Sequence, residues 1–307
     1  MRKVRLELMT QSRSIAAPIP VDRRATIAIL THAVQGLRPG TTLARIADEH
    51  WSPRGHRILI HRGLGAPPPA DIAFQHVDLT HIPKPYLDMA VHYPRTLNGA
   101  VADISKRRVS SRLLAEGDDF SGPVMVKTDL NHAGMPERLL REALPGLRAR
   151  LLSLLERRLP CTWFGHLPGD QYLVFERKDM VPRWVWRSRG LVVEPLHVER
   201  RGDLFAMHQW YFLGDRDCVS TFLSSTPVVK LATVVERLPL HADVPEAMRR
   251  RREALQFDYG KFDYVISNGE PILLDANRTP DDGAEFPSNP RVFAICAGMA
   301  GGLEGFL

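Results

Sequence analysis

The 307-residue sequence predicts a mixed α/β chain, with parallel β-structure first and antiparallel β-structure last. Two observations carry that reading. Between residues 26 and 75, short apolar runs alternate with a helical stretch, the pattern of a parallel sheet. Near the other end, two apolar arms flank Ser267-Asn268-Gly269-Glu270. Asn-Gly between alternating hydrophobics signals a hairpin, because both residues tolerate positive φ. A hydrophobic content of 44% supports cored, globular units in a chain of this length.

Residues 1–24 are basic but lack the continuous apolar core of a secretory signal, and they read as a loose leader. Thr26–Thr31 is a buried strand, followed by a helix from about Thr41 to Glu49 and strands at Arg57–His61 and Asp71–Gln75. Pro67, Pro68 and Pro69 mark the loop between the last two. No Gly-x-Gly-x-x-Gly follows the first strand, so dinucleotide binding is not indicated. Asn98–Leu114 is predicted helical and carries Lys106. Gly122–Lys127 is a strand ending in lysine, before the polar loop Thr128–Gly134. Pro136 opens a leucine-rich helix that runs to about Arg158, with a kink at Pro145-Gly146. Further strands are predicted at Gln171–Phe175, Gly190–Glu194, Phe205–Phe212 and Val228–Val235. A helix begins near Pro245, the acid-bearing hairpin follows, and a small helix follows Pro290.

Composition narrows the function. No apolar run approaches the ~18 residues of a membrane span. Three cysteines far apart, without a Cys-x-x-Cys, suggest neither a disulfide framework nor a zinc site, and a reducing cytoplasm is the expected setting. The net charge of +6 comes mostly from scattered arginines. The run Arg249–Arg252 reads as a solvated helix face, and no nucleic-acid module accompanies it. A basic surface also suits phosphorylated small molecules. His76 and His81 flank Asp78, a conceivable ligand set whose commoner meaning is ordinary loop histidines. Oligomeric state is open, a homo-oligomer included.

The hairpin carries the chemistry. Asp275 and Asn277 stand two apart, so their side chains leave the same face of the sheet. With Asp263 on the other arm they would offer two carboxylates and an amide oxygen, a donor set for a hard divalent cation. A strict two-residue turn would set Asp263 opposite Leu274, facing away from Asp275. The metal reading therefore requires a one-residue shift, from a three-residue turn or a bulge, and Pro271 is a place for it because it cannot donate to the ladder. Without such a shift this is a surface hairpin with solvated acids.

The stretch Lys261-Phe-Asp-Tyr-Val-Ile-Ser-Asn-Gly-Glu-Pro-Ile-Leu-Leu-Asp-Ala-Asn-Arg-Thr-Pro280 resembles the C-terminal signature of the ATP-grasp superfamily: an acid-aromatic strand, a turn, then acid-x-Asn-x-x-Pro. The resemblance implies a Rossmann-like N-terminal parallel sheet followed by a two-subdomain ATP-grasp fold. The leader would occupy 1–24, the N-terminal domain 25–105, one subdomain 106–190 and the other, with the hairpin, 191–307. ATP and magnesium are the implied cofactors, with the metal on Asp263, Asp275 and Asn277. Most relatives carry Glu where Asp275 stands, so the reach is shorter by one methylene and the charge is kept. Lys106 and Lys127, with Lys230 as a further contact, would reach the phosphates, since a polyanionic tail needs point cations of adjustable reach. The hinge would lie at Leu191–Leu196, where Val192, Val193 and Leu196 flank the adenine and Glu194 reads its edge. Glu199 would hold the ribose. The loop at 128–134 carries only Gly134 where family loops are richer in glycine, and Asn131 or His132 could supply side-chain donors instead.

The implied reaction joins a carboxylate to an amine through an acyl phosphate, on a small molecule or peptide. Lys261, where relatives carry arginine, and Arg278 would act at the acyl centre. The alternatives are a nucleotide-binding module without turnover and an ATP-dependent phosphotransferase.

Overall fold

The computed structural model describes residues 24–143, 172–281 and 289–307, together with 146, 151, 154, 155 and 167. The expected leader lies outside them up to residue 23. The first sheet is parallel, with β1 (Thr26–Thr31), β2 (Arg57–Arg62), β3 (Ile72–Gln75) and β4 (Thr96–Leu97) in the order β2-β1-β3-β4. Helix α1 (Thr42–Ile46) continues through a π-turn at Ala47–Trp51 and brings the Trp51 indole to the Ala300 carbonyl at 3.0 Å. Helix α2 (Lys84–Ala90) was not anticipated; Pro85 in its first turn gives up an amide that has no helical partner there.

The long helix expected over Asn98–Leu114 is absent, and only the single turn α3 (Lys106–Val109) forms. Asn98 takes a positive φ of 57°, and its side chain binds main chain 160 positions away. Its amide donates to the Tyr259 carbonyl at 2.7 Å and its oxygen accepts from the Asp258 amide at 2.9 Å. A tertiary tie has overridden local helical preference. Ser105 caps α3 by accepting from the Arg108 amide.

A small antiparallel sheet follows, β6-β5-β7, from β5 (Val124–Thr128), β6 (Leu173–Phe175) and β7 (Leu191–Pro195). Helix α4 (Met135–Ala143) is the described part of the helix expected to reach Arg158; Pro145 lies outside the described residues. Helix α5 (Arg183–Arg187) precedes β7.

The last sheet has β8 (Glu199–Arg201), β9 (Leu204–Leu213), β10 (Arg216–Ser224), β11 (Val234–Arg237), β12 (Tyr259–Ser267) and β13 (Glu270–Asn277). Its order is β11-β10-β9-β12-β13, with β8 paired to β9. The strand expected over Val228–Val235 is corrected: Leu231–Thr233 forms a 3₁₀ turn that Thr233 ties to the Lys230 amide at 3.1 Å, and the strand starts only at Val234. Helices α6 (Glu246–Ala254) and α7 (Pro290–Ala300) flank this sheet. The arginine run on α6 is more docked than a solvated face would be. Arg249 meets Asp217 at 2.6 Å, Arg251 donates to the Val109 carbonyl at 2.8 Å, and Arg252 donates to the Phe257 carbonyl at 2.8 Å.

Two cores cover the faces of the last sheet. Trp210, Phe212, Phe257 and Phe262 pack on one side, while Tyr211 and Tyr259 join Trp51, Phe74 and α7 on the other. Fully burying a phenylalanine such as Phe74 or Phe212 contributes about 1.5–3 kcal/mol. No described helix is long and apolar enough to cross a membrane.

Candidate functional site

Strand alternation assembles the site. Across β9, β12 and β13 the register sets Gln209, Asp263 and Asp275 in one row, and Tyr211, Lys261 and Asn277 in the next. Those positions share a face. Trp210, Phe262 and Ala276, one residue out of step, pack into the opposite core.

The required register shift exists, and it is a bulge. Asn268 and Gly269, with φ of 53° and 79°, make a two-residue turn that pairs Ser267 with Glu270. Pairing runs undisturbed through Tyr264 and Leu273, then skips Leu274 so that Asp263 meets Asp275. Pro271 pairs regularly with Ile266 and is not the place of the shift. One extra residue lets Leu273 enter the core and Asp275 join the polar face, although they stand only two apart.

Both expected phosphate lysines are engaged in ion pairs. Lys106, at the start of α3, bonds Asp275, and Lys127 on β5 bonds Glu194 on β7. Lys127 is opposite Val192 and diagonal to Glu194, so the three share a face. Both partners of that second pair are buried. Burial opposes the charge on Asp275, but Lys106, with Lys127 and Lys261 beyond it, overrides this and holds the carboxyl below the usual range. Lys261 lies 3.7 Å from Asp263. Asn277 is oriented through its oxygen, which accepts from the Thr279 amide at 2.9 Å.

Other expected residues fall elsewhere. Val193 alternates to the opposite face from Lys127 and packs with Val124 and Val126, so it does not flank the same space as Val192. Leu196 is half-buried just past β7, its amide on the Pro123 carbonyl at 2.8 Å. Glu199 lies on the Trp210 side of the last sheet, where His208 and the Ile266 amide each meet its Oε2 at 2.8 Å. Burial works against its charge, yet those bonds hold its pKa down at about 2. Arg278 is wholly buried. Its guanidinium donates to the carbonyls of Val101 at 2.6 Å, Val77 at 3.2 Å and Thr80 at 3.2 Å, and also to Leu79. That places it as a brace between the hairpin and the loop after β3, in contrast to the expected position at an acyl centre. The Lys230 carbonyl accepts from the Thr233 amide at 2.8 Å to open the 3₁₀ turn, and the Lys230 ammonium lies 5.3 Å from the centre of the Tyr172 ring.

Tyr172, Gln209 and Tyr211 were missed. Partial burial, with the charges of Asp275, Asp263 and Glu194, pushes the Tyr172 pKa up, although 43% of the residue is exposed. Alternation in Tyr-Leu-Val-Phe could have flagged it, since Leu173 and Phe175 go to the core. Gln209 accepts the Tyr211 hydroxyl at 2.9 Å. Nothing local marks either as a neighbour of the acids. In the loop after β5, His132, Ala133 and Gly134 take φ of 49°, 53° and 75°. Two consecutive non-glycine residues in that region store strain, roughly 1–2 kcal/mol each.

No family model matches the chain, and no curated protein does. Solved structures are similar to it. One is the RimK-domain ATP-grasp protein of Sphaerobacter thermophilus, 14% identical, with 92% of this chain and 99% of that one covered at a TM-score of 0.45. Another is the D-alanine–D-alanine ligase of Bacillus anthracis, 9% identical, with coverages of 92% and 95% and a TM-score of 0.44. A third is the D-cycloserine synthetase DcsG, 15% identical, with coverages of 90% and 98% and a TM-score of 0.42.

Proposed function

We propose that this chain is an ATP- and magnesium-dependent ligase of the ATP-grasp type, joining a carboxylate to an amine through an acyl phosphate. The observation that carries the reading is the register of the hairpin, which sets Asp263 against Asp275 one row from Asn277. The donor set fits magnesium: three hard oxygen donors, with the Lys106 ammonium already seated on Asp275 as a cation would be. When bound, the metal would neutralise charge on the nucleotide phosphates.

The chain's own residues do the rest. Lys106 and Lys127 would leave Asp275 and Glu194 for the phosphate tail, with Lys230 beside Tyr172 as a further point charge. Val192 and Glu194, on Lys127's face, would offer an apolar surface and a carboxylate to the base. A substrate carboxylate oxygen would attack the γ-phosphorus and expel ADP. The acceptor amine would then add to the acyl carbon and expel phosphate, giving the amide and losing one proton. Lys261, beside Asp263, would offset charge at that carbon. Arg278 would hold the hairpin in place.

The test is ATP binding by calorimetry and thermal shift, with and without magnesium, for wild type and Asp275→Asn. ATP at 100 times its Kd should add about 2.7 kcal/mol to wild-type stability. Magnesium should strengthen that effect in wild type and not in the variant, and a panel of acids and amines should then release ADP. Equal ATP binding with and without magnesium in both proteins would refute the metal assignment, and no binding at all would refute the nucleotide reading.

A further inference from the structure

One carboxylate of the acid row already carries a cation. Lys106 reaches Asp275 from the start of α3, and its ammonium bonds Oδ1, the oxygen that also accepts the Ala276 amide at 2.8 Å. The backbone around the lysine is pinned from several directions. The Lys106 amide donates to the Asp129 carbonyl at 2.9 Å, the Arg107 amide to the Asp129 carboxylate at 2.9 Å, and the Ser105 amide to Asp103 at 2.7 Å. Movement here is left to the long side chain, so the ammonium is a movable charge on a fixed base.

Burial divides the two partners. Lys106 is 6% exposed, whereas the Asp275 side chain is 33% exposed, so the carboxylate keeps a face open to a ligand while the lysine is shut in. A buried ion pair is a weak source of stability, since apolar residues of similar volume often do as well. The neighbouring acid is matched in the same way, with the Lys261 ammonium 3.7 Å from Asp263. Each carboxylate of the row thus has an ammonium beside it, which offsets the field that would attract a divalent cation. A polyphosphate tail changes that balance. It draws flexible ammoniums to itself, and the oxygens of Asp263, Asp275 and Asn277 can then face a cation without a rival.

We infer that Lys106 competes with the metal for Asp275, so that ammonium and divalent cation exclude one another there and the metal enters only with a phosphate tail that takes the lysine away. The competition makes the site selective for a metal–nucleotide pair over free metal. Coupling of this kind is reciprocal. Nucleotide without metal would draw Lys106 off and leave carboxylates facing phosphate, so it too is held less tightly. The inference rests on the ligase reading and adds an order of events to it.

The experiment is manganese binding to the full chain, followed by electron paramagnetic resonance, with and without a non-hydrolysable ATP analogue. Without the analogue, Lys106→Met and Lys106→Gln should bind manganese more tightly than wild type by about tenfold or more. Lys106→Arg keeps the charge and should exclude manganese as wild type does. Adding Asp275→Asn to the neutral variants should abolish their gain. Magnesium alone should raise the melting temperature of the neutral variants and not that of wild type, with circular dichroism showing that each is folded. Equal manganese affinity in wild type and the neutral variants would overturn the inference. A gain shared by Lys106→Arg would overturn it too, because it would mark a loosened site and not a removed charge. Should neither neutral variant fold, wild type decides alone. Manganese held as tightly without the analogue as with it overturns the competition, and binding weaker by about tenfold or more without it upholds the inference. Wild type that takes up the analogue but no manganese would instead remove the metal assignment beneath it, and wild type that takes up neither would remove the nucleotide reading.

Discussion

Lys127→Met should be among the most destabilising single changes in the ligand-free protein. Lys127 and Glu194 are 5% and 3% exposed, and each is the other's counter-charge across β5 and β7. Removing the lysine strands a carboxylate on a sheet face from which water is excluded. Breaking a buried pair in this way costs about 3–5 kcal/mol, whereas replacing both members by apolar residues of similar volume is often neutral or stabilising. The single variant should therefore lose about 3–5 kcal/mol, and Lys127→Met with Glu194→Leu should recover most of that. The assay is urea unfolding at pH 7 without nucleotide, followed by circular dichroism and tryptophan fluorescence, the two transitions being required to coincide. The coupling energy from the double-mutant cycle is the quantity sought. A single variant within about 0.5 kcal/mol of wild type would refute the reasoning, because the carboxylate would then have found water or another partner. A double variant as unstable as the single one would refute it too.

Two further outcomes follow from buried groups, His76 after β3 and Arg278 after β13. His76 is uncharged when folded down to a pKa of about 3, while the unfolded chain takes a proton near 6.5, so the unfolded state binds more protons as pH falls through that window and stability declines. His76→Gln should remove that slope, and the stability difference from wild type should shift by about 1.2 kcal/mol between pH 6 and 5; parallel pH profiles would sink the assignment. Arg278→Lys keeps the charge but cannot reach the carbonyls of Val77, Thr80 and Val101 together, so stability should fall by about 2–5 kcal/mol while ATP affinity of the folded protein changes little. Unchanged urea stability with weakened ATP binding would show that Arg278 serves the ligand rather than the fold.

The parts of this site that were legible in the sequence are those set by near neighbours. The Asn268-Gly269 turn, the shared face of Asp275 and Asn277, and the strands around Lys127 and Glu194 all follow from alternation over a few residues. What could not be read depends on distant chain. Asn98 leaves its expected helix for the backbone at 258–259, and Arg251 and Arg252 of α6 find carbonyls rather than solvent. Gln209 and Tyr211 join the acid rows only because β9 lies beside β12, a pairing no local pattern encodes. The need for a register shift was evident, yet its position was not: Pro271, which has no amide to donate, was the local cue, while the ladder opened at Leu274. Arg278 and Glu199 carry charges that sequence assigns to chemistry, and tertiary packing enlists both as internal struts.

The bulge at Leu274 has a mechanical consequence. It divides the hairpin into an outer segment, from Tyr264 to Leu273, and an inner one that holds Asp263, Asp275 and Asn277. A ladder without interruption transmits every change at its tip to every residue pair below. Here the irregularity acts as a joint, so twisting or fraying at Asn268-Gly269 is absorbed before it reaches the carboxylates. The outer segment keeps its own anchors, Tyr264 and Leu273 in the core and the Ile266 amide on Glu199, while the acids below the joint keep their alignment.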